Sequence, residues 1–567
     1  LALLDEPPFE MLSKQGQPVA LAEGRADVAG TLAFNLKGDL QTEDVRFDLG
    51  AELRDVRSEL ILPGKVLRAE RLRMSVDNET LAVFGNGRLG EVPFIGRWES
   101  PVVADGGGST LSGEVTLSET FSDEFGIGLP PGSITGAAPA QITVDLQRGG
   151  GGGFTLRSDL AGMGLAIPQL GWSMSRAATG ALSVDGRLGA PIAVDALSLT
   201  APGLSAVGAV SLRPGGGLDR AVFSRVQVGD WLDVPVELVG RGPGATPAVR
   251  VTGGTIDLRR TSLSEGRGAG DKPGGPVSLV LERLQISDAI SLTGFQAELD
   301  TSRGTEGIFS GRLNGGAPIT GRVVPQDGRS AFRVRSQAAG GVLGSAGLLK
   351  GARSGELELL LAPAAGPGSY DGQLTVDNIW LTDAPALAAL LSAVSVVGLL
   401  EQMSGNGILF NRVEAQFRLA PDRVILLNSS AVGASMGISM DGYYYTEGAR
   451  MDMQGVVSPL YLVNSLGGIF TRQGEGLVGF NYTLTGPASQ PRVEVNPLSL
   501  LTPGMFRELF RRPAPTLPET AGAGGAAQGA VGASGGSGGS TSGAGTGNEP
   551  GDAAAAGRSP LMNRNNR

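Results

Sequence analysis

Over most of its length the chain alternates apolar and polar residues at every second position, in short stretches that end in a Gly, Pro or Asp turn. A period of two is typical of a β-strand with two unlike faces, one toward a core and one toward water. TLAFNLKG, QITVDLQR, AFRVRS and GELELLL are examples, and helix-length periodic segments are rare in the first 375 residues. The pattern predicts a mainly β, mainly antiparallel protein.

The alternation is sharpest in the C-terminal third, where NRVEAQFRLA places apolar residues such as Val413 and Phe417 on one face and charged residues on the other. The stretches SMGISMDGYYY, RMDMQG and LVGFNYTLTG repeat the pattern. Such strands predict a sheet with one dry side and one wet side. The candidate inward-facing residues are Phe332, Val334, Val413, Phe417, Leu419, Met436, Ile438, Met440, Met451, Met453, Val478, Phe480, Tyr482 and Leu484.

The spacing of these stretches sets the expected size of the sheet. One strand about every 12 residues, up to about residue 510, would give on the order of 40 strands. An open twisted sheet rarely exceeds about 10 strands without curling or splitting. Two architectures therefore remain open: a series of β-sandwiches, or one elongated sheet that curls continuously into a trough.

The composition removes most common enzyme chemistries. The 567 residues include no His and no Cys, which excludes histidine bases, thiol nucleophiles and the usual zinc ligands. A net charge of −10, from 46 basic and 56 acidic residues, argues against a nucleic-acid partner, because phosphate neutralisation needs a basic surface. We therefore expect no enzymatic activity, no metal and no cofactor.

Three short motifs match nucleotide-binding or catalytic patterns but fail on context. GNGRLG (85–90) and GEGLVG (474–479) spell G-x-G-x-x-G, yet a predicted strand follows each, whereas a dinucleotide site needs a helix N-terminus there. GASMG (433–437) matches the nucleophile elbow around Ser435, but the chain offers no histidine base. We interpret all three as turns next to strands.

Residues 436–461 are rich in Met and Tyr. Flexible, polarizable Met side chains suit a surface that accepts variable apolar ligands, and they also fill irregular gaps in an ordinary core. The sequence leaves both interpretations open.

The longest apolar run, Ala384 to Met403, predicts an amphipathic helix rather than a membrane span. Thr382 and Asp383 are candidate N-cap residues, and Pro385 suits the first helical turn. We expect this helix to pack on or near one end of the apolar face.

The folded part is predicted to end within NYTLTGPASQPRVEVNPLSLLTPGMFRELFRR (481–512), where prolines end strand pairing and protect an exposed edge. A short cationic cap with an apolar face follows, and both contact with a membrane surface and packing against the last strand are open for it. The candidate cap residues are Phe506, Arg507, Leu509, Phe510 and Arg511. Residues 513–567, rich in Gly, Ala and Ser, predict a flexible tail.

Three ordered segments carry a family resemblance: DNIWLTDAPALAALLSAVSVVGLLEQMSGNGILFNRVEAQFRL, GISMDGYYYTEGARMDMQGVVSPLYLVNSL and GEGLVGFNYTLTGPASQPRVEVNPLSLLTPGMFRELF. This region, Asp377 to Phe510, resembles the AsmA-like family of bacterial envelope proteins, the group that includes TamB and YhdP, and it is most similar to the YhdP-type C-terminal region. The glycine-rich tail departs from the family pattern.

The resemblance implies a protein anchored in the inner membrane by an N-terminal segment absent from this chain, which projects into the periplasm as a curled β-sheet with a hydrophobic groove. Residues 1–375 would form a repetitive groove region and 376–512 an AsmA-like C-terminal region. The expected function is to bind and conduct phospholipid between the inner and outer membranes and so support outer-membrane integrity. A scaffold or assembly factor for outer-membrane proteins, with an outer-membrane assembly protein as partner, and a structural β-repeat protein remain as alternatives.

Overall fold

The computed structural model describes residues 22–35, 44–62, 65–102, 108–147, 151–189, 191–214, 216–242, 244–261, 274–382, 384–394, 399, 403, 405, 407–459, 474–476, 478–501, 511–515 and 517. Leu1–Pro515 forms one compact unit. The described part is mainly β, with 31 strands and three α-helices. The predicted tail lies almost entirely outside these residues.

The first 15 strands are β1 Glu23–Phe34, β2 Val45–Leu62, β3 Lys65–Asp77, β4 Thr80–Leu89, β5 Val92–Pro101, β6 Ser109–Ser118, β7 Ile134–Leu146, β8 Gly152–Ser158, β9 Met163–Ile167, β10 Trp172–Met174, β11 Ala181–Leu188, β12 Ala193–Ala201, β13 Leu204–Leu212, β14 Leu218–Val228 and β15 Leu232–Val239. The others are β16 Ala248–Val251, β17 Thr255–Asp257, β18 Pro276–Gln285, β19 Ser291–Asp300, β20 Glu306–Leu313, β21 Pro318–Gln326, β22 Arg329–Ser336, β23 Ala352–Arg353, β24 Glu356–Pro363, β25 Tyr370–Leu381, β26 Ile408–Leu419, β27 Arg423–Val432, β28 Met436–Tyr445, β29 Arg450–Pro459, β30 Phe480–Pro487 and β31 Arg492–Asn496. The helices are α1 Glu119–Glu124, α2 Ala339–Ser345 and α3 Pro385–Ala393.

The strands join by hydrogen bonds into one sheet, with β9 and β10 as a side branch attached to β7. The prediction of a mainly β, mainly antiparallel fold is confirmed, and one sheet replaces the alternative of separate sandwiches. The described residues contain fewer strands than the estimate for the whole chain, because several strands are long: β2 alone has 18 residues. The predicted boundary at 375/376 falls inside β25, which pairs with β24 and β26, so the sheet continues across it.

One joint in the sheet is parallel. β16 and β17 together form a broken strand that pairs antiparallel with β15 on one side and parallel with β18 on the other. Every other pairing between the described strands is antiparallel. Apolar residues still face each other across the joint, because Val249 lies opposite Val277 and Ile256 lies opposite Leu284.

All three α-helices are inserted at the same margin of the sheet. We call this the first margin: it is the side where β2 turns into β3 and β4 turns into β5. The strand directions, followed through the register, place four insertions at the first margin. They are α1 after β6, the β9–β10 branch after β8, α2 after β22 and α3 after β25. Many opposite-margin connections are short, such as the two residues between β21 and β22. Large insertions therefore border one side of the sheet.

Helix α1 shows how an insertion is fixed to this margin. The Ser118 hydroxyl caps it by accepting a hydrogen bond from the Phe121 amide. At its other end, the Glu124 carboxylate accepts hydrogen bonds from Lys65 Nζ, at 2.6 Å, and from the Glu91 amide. One carboxylate thus ties the β2–β3 and β4–β5 hairpins to the helix.

Helix α3 begins as predicted with Pro385 in the first turn, but its N-cap is Ala384, with no side-chain cap. The Thr382 hydroxyl instead donates to the Gly351 carbonyl, so the prediction of Thr382 as cap is wrong, and Asp383 lies outside the described residues. The described helix ends at Ala393. Within the described part of the chain, no helix is long and apolar enough to cross a membrane.

Asn314 holds the β20–β21 turn against the neighbouring insertions. Its backbone has a φ of 48°, a left-handed conformation. Its side-chain oxygen accepts from the amide and hydroxyl of Ser291, and its side-chain nitrogen donates to the carbonyls of Ala289 and Ser345. One side chain therefore links β19, the β20–β21 turn and α2.

Replacing Asn314 with Ala is expected to destabilise this region by about 2–4 kcal/mol, because four hydrogen bonds are lost and Ala, unlike Asn, has no polar side chain that stabilises the left-handed conformation. The measurement is hydrogen exchange of the β19–β20 amides. Asn314→Gly is the matched control: it loses the same hydrogen bonds without the backbone strain and should cost about 1 kcal/mol less. Equal protection in wild type and both variants would contradict the assigned role.

Candidate functional site

The apolar faces of neighbouring strands meet and form one continuous surface, which we call the dry face. In the middle of the sheet, Leu359 lies opposite Val334 on one side and Leu374 on the other. Leu374 in turn lies opposite Ala415. The same register can be followed from β1, where Leu32 lies opposite Phe47, to β31. The alternation in the sequence thus becomes a single apolar surface across the whole sheet.

Thirteen of the fourteen predicted inward residues lie on the dry face. They are Phe332, Val334, Val413, Phe417, Leu419, Met436, Ile438, Met440, Met451, Met453, Phe480, Tyr482 and Leu484. Met436, Met453, Tyr482 and Leu484 are buried, and the others are partly buried. Val478 is the exception: it precedes β30, and 45% of its surface is exposed. Its assignment to an inward strand position is wrong, because the strand begins at Phe480.

The exposure of the dry face differs along the sheet. Near α3, Ile408 and Phe410 are fully buried, and Leu391 of the helix belongs to the same apolar cluster. At β1, every residue is exposed, including Leu32 and Phe34 at 55% and 52%. On the neighbouring strands β2 and β3, Phe47 and Val76 are buried in a smaller cluster, so the exposed apolar surface at this end is that of β1 itself.

The opposite face, which we call the polar face, carries Arg–carboxylate pairs between strands. Arg333 and Arg335 of β22 both pair with Glu358 of β24, and their hydrogen bonds, that from Arg333 first, lower the pKa of Glu358. Arg412 pairs with Asp377 at 3.0 Å. Exposed pairs of this kind contribute little stability. They mark this side of the sheet as the one that faces water.

A buried ionic group, which we call the Arg511 cluster, interrupts the polar face at its C-terminal end. Arg511 Nη1 lies 2.7 Å from Glu475 Oε1, and Arg511 Nη2 lies 2.9 Å from Asp441 Oδ1. The Arg511 side chain is 5% exposed and both carboxylates are 3% exposed. Three segments distant in sequence are thereby held together: β28, the approach to β30, and residues 511–512.

Hydrogen bonds extend this cluster. The Gln454 side-chain nitrogen donates to Asp441 and to the Arg512 carbonyl, while the Arg512 amide donates to the Gln454 side-chain oxygen. The Ser439 hydroxyl donates to Glu475, at 2.6 Å. These contacts fix residues 511–512 against β28 and β29.

Tyr482 reaches the same region from the dry face. Its hydroxyl donates to the Ser439 carbonyl, and burial raises the pKa of the phenol. A cavity of about 220 Å³ lies beside it, with Asn481, Thr483 and Asn496 among its lining residues. The cavity adjoins the Arg511 cluster, whose charged groups already pair with one another.

The Arg511 cluster bears on the predicted cap, and the sequence did not predict the cluster itself. Membrane contact and packing against the last strand were both open for the cap that includes Arg511. The structure buries the Arg511 guanidinium between two carboxylates, which argues against membrane contact for this side chain. The other cap candidates, Phe506, Arg507, Leu509 and Phe510, lie outside the described residues. No sequence signal links residues separated by 36 and 70 positions, and neither acidic residue stands in a distinctive run.

The three rejected motifs lie at or beside strands. GNGRLG (85–90) occupies the end of β4 and the turn that begins at Gly90. GASMG (433–437) spans the turn between β27 and β28. GEGLVG (474–479) leads directly into β30, and its Glu475 is the buried partner of Arg511. A strand therefore adjoins each motif, where a nucleotide site would need a helix N-terminus.

The described residues of the dry face offer apolar contact. Among the described residues, no group of three or more acidic side chains is placed to hold a metal ion. Comparisons of the chain with protein-family models, with curated proteins and with solved structures found no match.

Proposed function

We propose that the protein binds phospholipid on the dry face and conducts it between the inner and outer membranes through the periplasm, supporting outer-membrane integrity. The observation that carries the proposal is the continuity of the apolar register from β1 to β31. The periplasmic location and the inner-membrane anchor rest on the family resemblance in Asp377 to Phe510.

The energetics of such a surface suit an acyl chain. Each buried CH₂ gains about 0.8 kcal/mol, so a chain of about 15 CH₂ groups gains on the order of 10 kcal/mol when fully buried. A continuous apolar surface offsets much of the cost of leaving a bilayer at every position along it. This requires no chemical step, only that apolar contact is uninterrupted.

Adjacent leucines of β24 provide a direct test. Leu359 lies on the dry face between Val334 and Leu374, whereas Leu360 lies on the polar face opposite Arg333 and is 39% exposed. The photoreactive residue benzoylphenylalanine at position 359 is expected to crosslink co-purifying phospholipid, identified by mass spectrometry. The same residue at position 360 should crosslink much less. Equal labelling at both positions would argue against the dry face as the lipid site.

Leu359→Glu is expected to lower the amount of bound phospholipid about tenfold, because a carboxylate on the path disfavours apolar contact by 1.4 kcal/mol or more. Leu360→Glu should leave it unchanged. Circular dichroism and size-exclusion chromatography verify that both variants are folded before lipid is extracted and quantified. A folded Leu359→Glu protein that carries as much lipid as wild type would refute the proposal.

The exposed edge at β1 supports a second candidate function, that of a scaffold for outer-membrane proteins. Among the described strands, β1 pairs with β2 alone, and all 12 of its residues are exposed. An exposed strand edge can receive a strand from another protein. Capture of an outer-membrane assembly protein by wild type, lost in a Val28→Pro variant that retains bound lipid, would favour this function over lipid conduction.

A further inference from the structure

Aromatic rings on the dry face repeatedly lie opposite a glycine of the neighbouring strand. Six such cross-strand pairs occur between β4 and β30. They are Phe94 with Gly87, Phe154 with Gly186, Phe223 with Gly208, Phe309 with Gly321, Phe417 with Gly372, and Tyr482 with Gly455. Within the described strands, no aromatic residue of the polar face has a glycine directly opposite.

The rings occupy the space that a side chain would take above each glycine. A Cβ placed on Gly321 would lie 2.1 Å from Phe309 Cζ, and one placed on Gly372 would lie 2.2 Å from Phe417 Cε2. A Cβ placed on Gly186 would lie 2.6 Å from the Phe154 ring. Such distances are far inside van der Waals contact. Each ring therefore lies down over its neighbour strand instead of standing away from the sheet.

The orientation of the ring relative to the sheet determines how much space remains above the sheet for a ligand. A ring lying on the backbone adds about one aromatic thickness, roughly 3.5 Å, whereas a ring raised by a Cβ beneath it projects further. All five phenyl rings are only partly buried, so part of the surface of each ring remains exposed. Tyr482, near α3, is buried.

Glycine in a strand is weakening, and an aromatic neighbour can compensate for it structurally. If the rings served only to compensate for the glycines, the pairs would be expected equally on both faces of the sheet. The restriction to the dry face, together with the partial exposure of the phenyl rings, ties the pairs to the surface assigned to lipid.

We infer that the flat phenyl rings are contact positions for extended acyl chains, and that the glycine beneath each ring fixes the depth left for the chain. This inference rests on the proposed lipid function and adds the ligand specificity. The ligand is unbranched hydrocarbon that lies along the dry face in contact with successive rings.

The Phe309–Gly321 pair is the place to test it, because it is distant in sequence from α3 and has the closest approach. Gly321→Ala forces the Phe309 ring upward and is expected to lower crosslinking of phospholipid acyl chains at position 359 about fivefold. Gly321→Ala combined with Phe309→Leu removes the raised ring and should restore most of the signal. Gly50→Ala is the matched control, because a Cβ there, on the exposed polar face, meets nothing closer than 3.9 Å.

Direct contact between the Phe309 position and an acyl chain is measured in a separate experiment. This experiment tests the inference even if Gly321→Ala does not fold. Benzoylphenylalanine replacing Phe309 should label an acyl chain, whereas the same residue replacing Ile308, which is 60% exposed on the polar face, should not. Equal labelling at 308 and 309, or unchanged lipid contact in folded Gly321→Ala, would overturn the inference alone. Wild-type protein without bound or crosslinked phospholipid would overturn the proposed function and the inference with it.

Discussion

Replacing Arg511 with Met is expected to destabilise the C-terminal end of the sheet by about 3–5 kcal/mol, because Asp441 and Glu475 would stay buried without their cation. The guanidinium is the group that joins the two carboxylates, at 2.9 and 2.7 Å. Hydrogen exchange of the β28 and β29 amides is the appropriate measurement, since a chain of this size does not unfold in a single two-state step.

Two further variants separate the charge from the packing. Arg512→Met removes a half-exposed pair with Asp452 and should change protection by no more than about 1 kcal/mol. Combining Arg511→Met with Asp441→Asn and Glu475→Gln neutralises the whole cluster and should recover part of the loss. If Arg511→Met and Arg512→Met have equal effects, the buried cluster does not hold this end of the sheet.

Replacing Phe410 with Ala is the second large effect expected, about 3–5 kcal/mol, because a fully buried ring is removed from a packed site. Phe410 lies opposite Ile379, which is also buried. Loss of protection should concentrate in β25, β26 and α3. Leu409→Ala is the matched control: Leu409 lies opposite Trp380, is only partly buried and is not part of the apolar cluster that contains Phe410, so its cost should be nearer 1 kcal/mol. Comparable losses for the two variants would contradict the placement of the apolar cluster at this end of the dry face.

The sequence predicted the two faces of the strands well because side-chain alternation is a local property. Val413 and Phe417 alternate along β26 with Arg412 and Gln416, so the two pairs point to opposite faces of the sheet. The observed register keeps them on those faces. Val478 failed for a local reason as well: the alternation continues upstream of Phe480, but hydrogen bonding of β30 begins only there. The described residues contain 31 strands, against an estimate on the order of 40 for the whole chain, and the difference arises because period-two patterns do not show where long strands end.

Long-range features could not be predicted in this way. Asp441, Glu475 and Arg511 become neighbours only after β28 and the C-terminal residues have taken their places, and nothing in their immediate sequence marks them. The glycine–aromatic pairs depend on register between strands, which alternation does not specify beyond the choice of face. Thr382 had a suitable side chain for a helix cap, but a tertiary partner, the Gly351 carbonyl, took its hydrogen bond.

The parallel joint at β18 has a consequence for how such a sheet can change length during evolution. In an antiparallel meander each added strand reverses the margin at which the chain emerges, so a single extra strand would move every later insertion across the sheet. Because β17 and β18 run in the same direction, α2 and α3 emerge at the same margin as α1. Relatives that keep their insertions on one margin should therefore differ in length by whole hairpins, and a relative differing by one strand should contain a second parallel joint or lack this one.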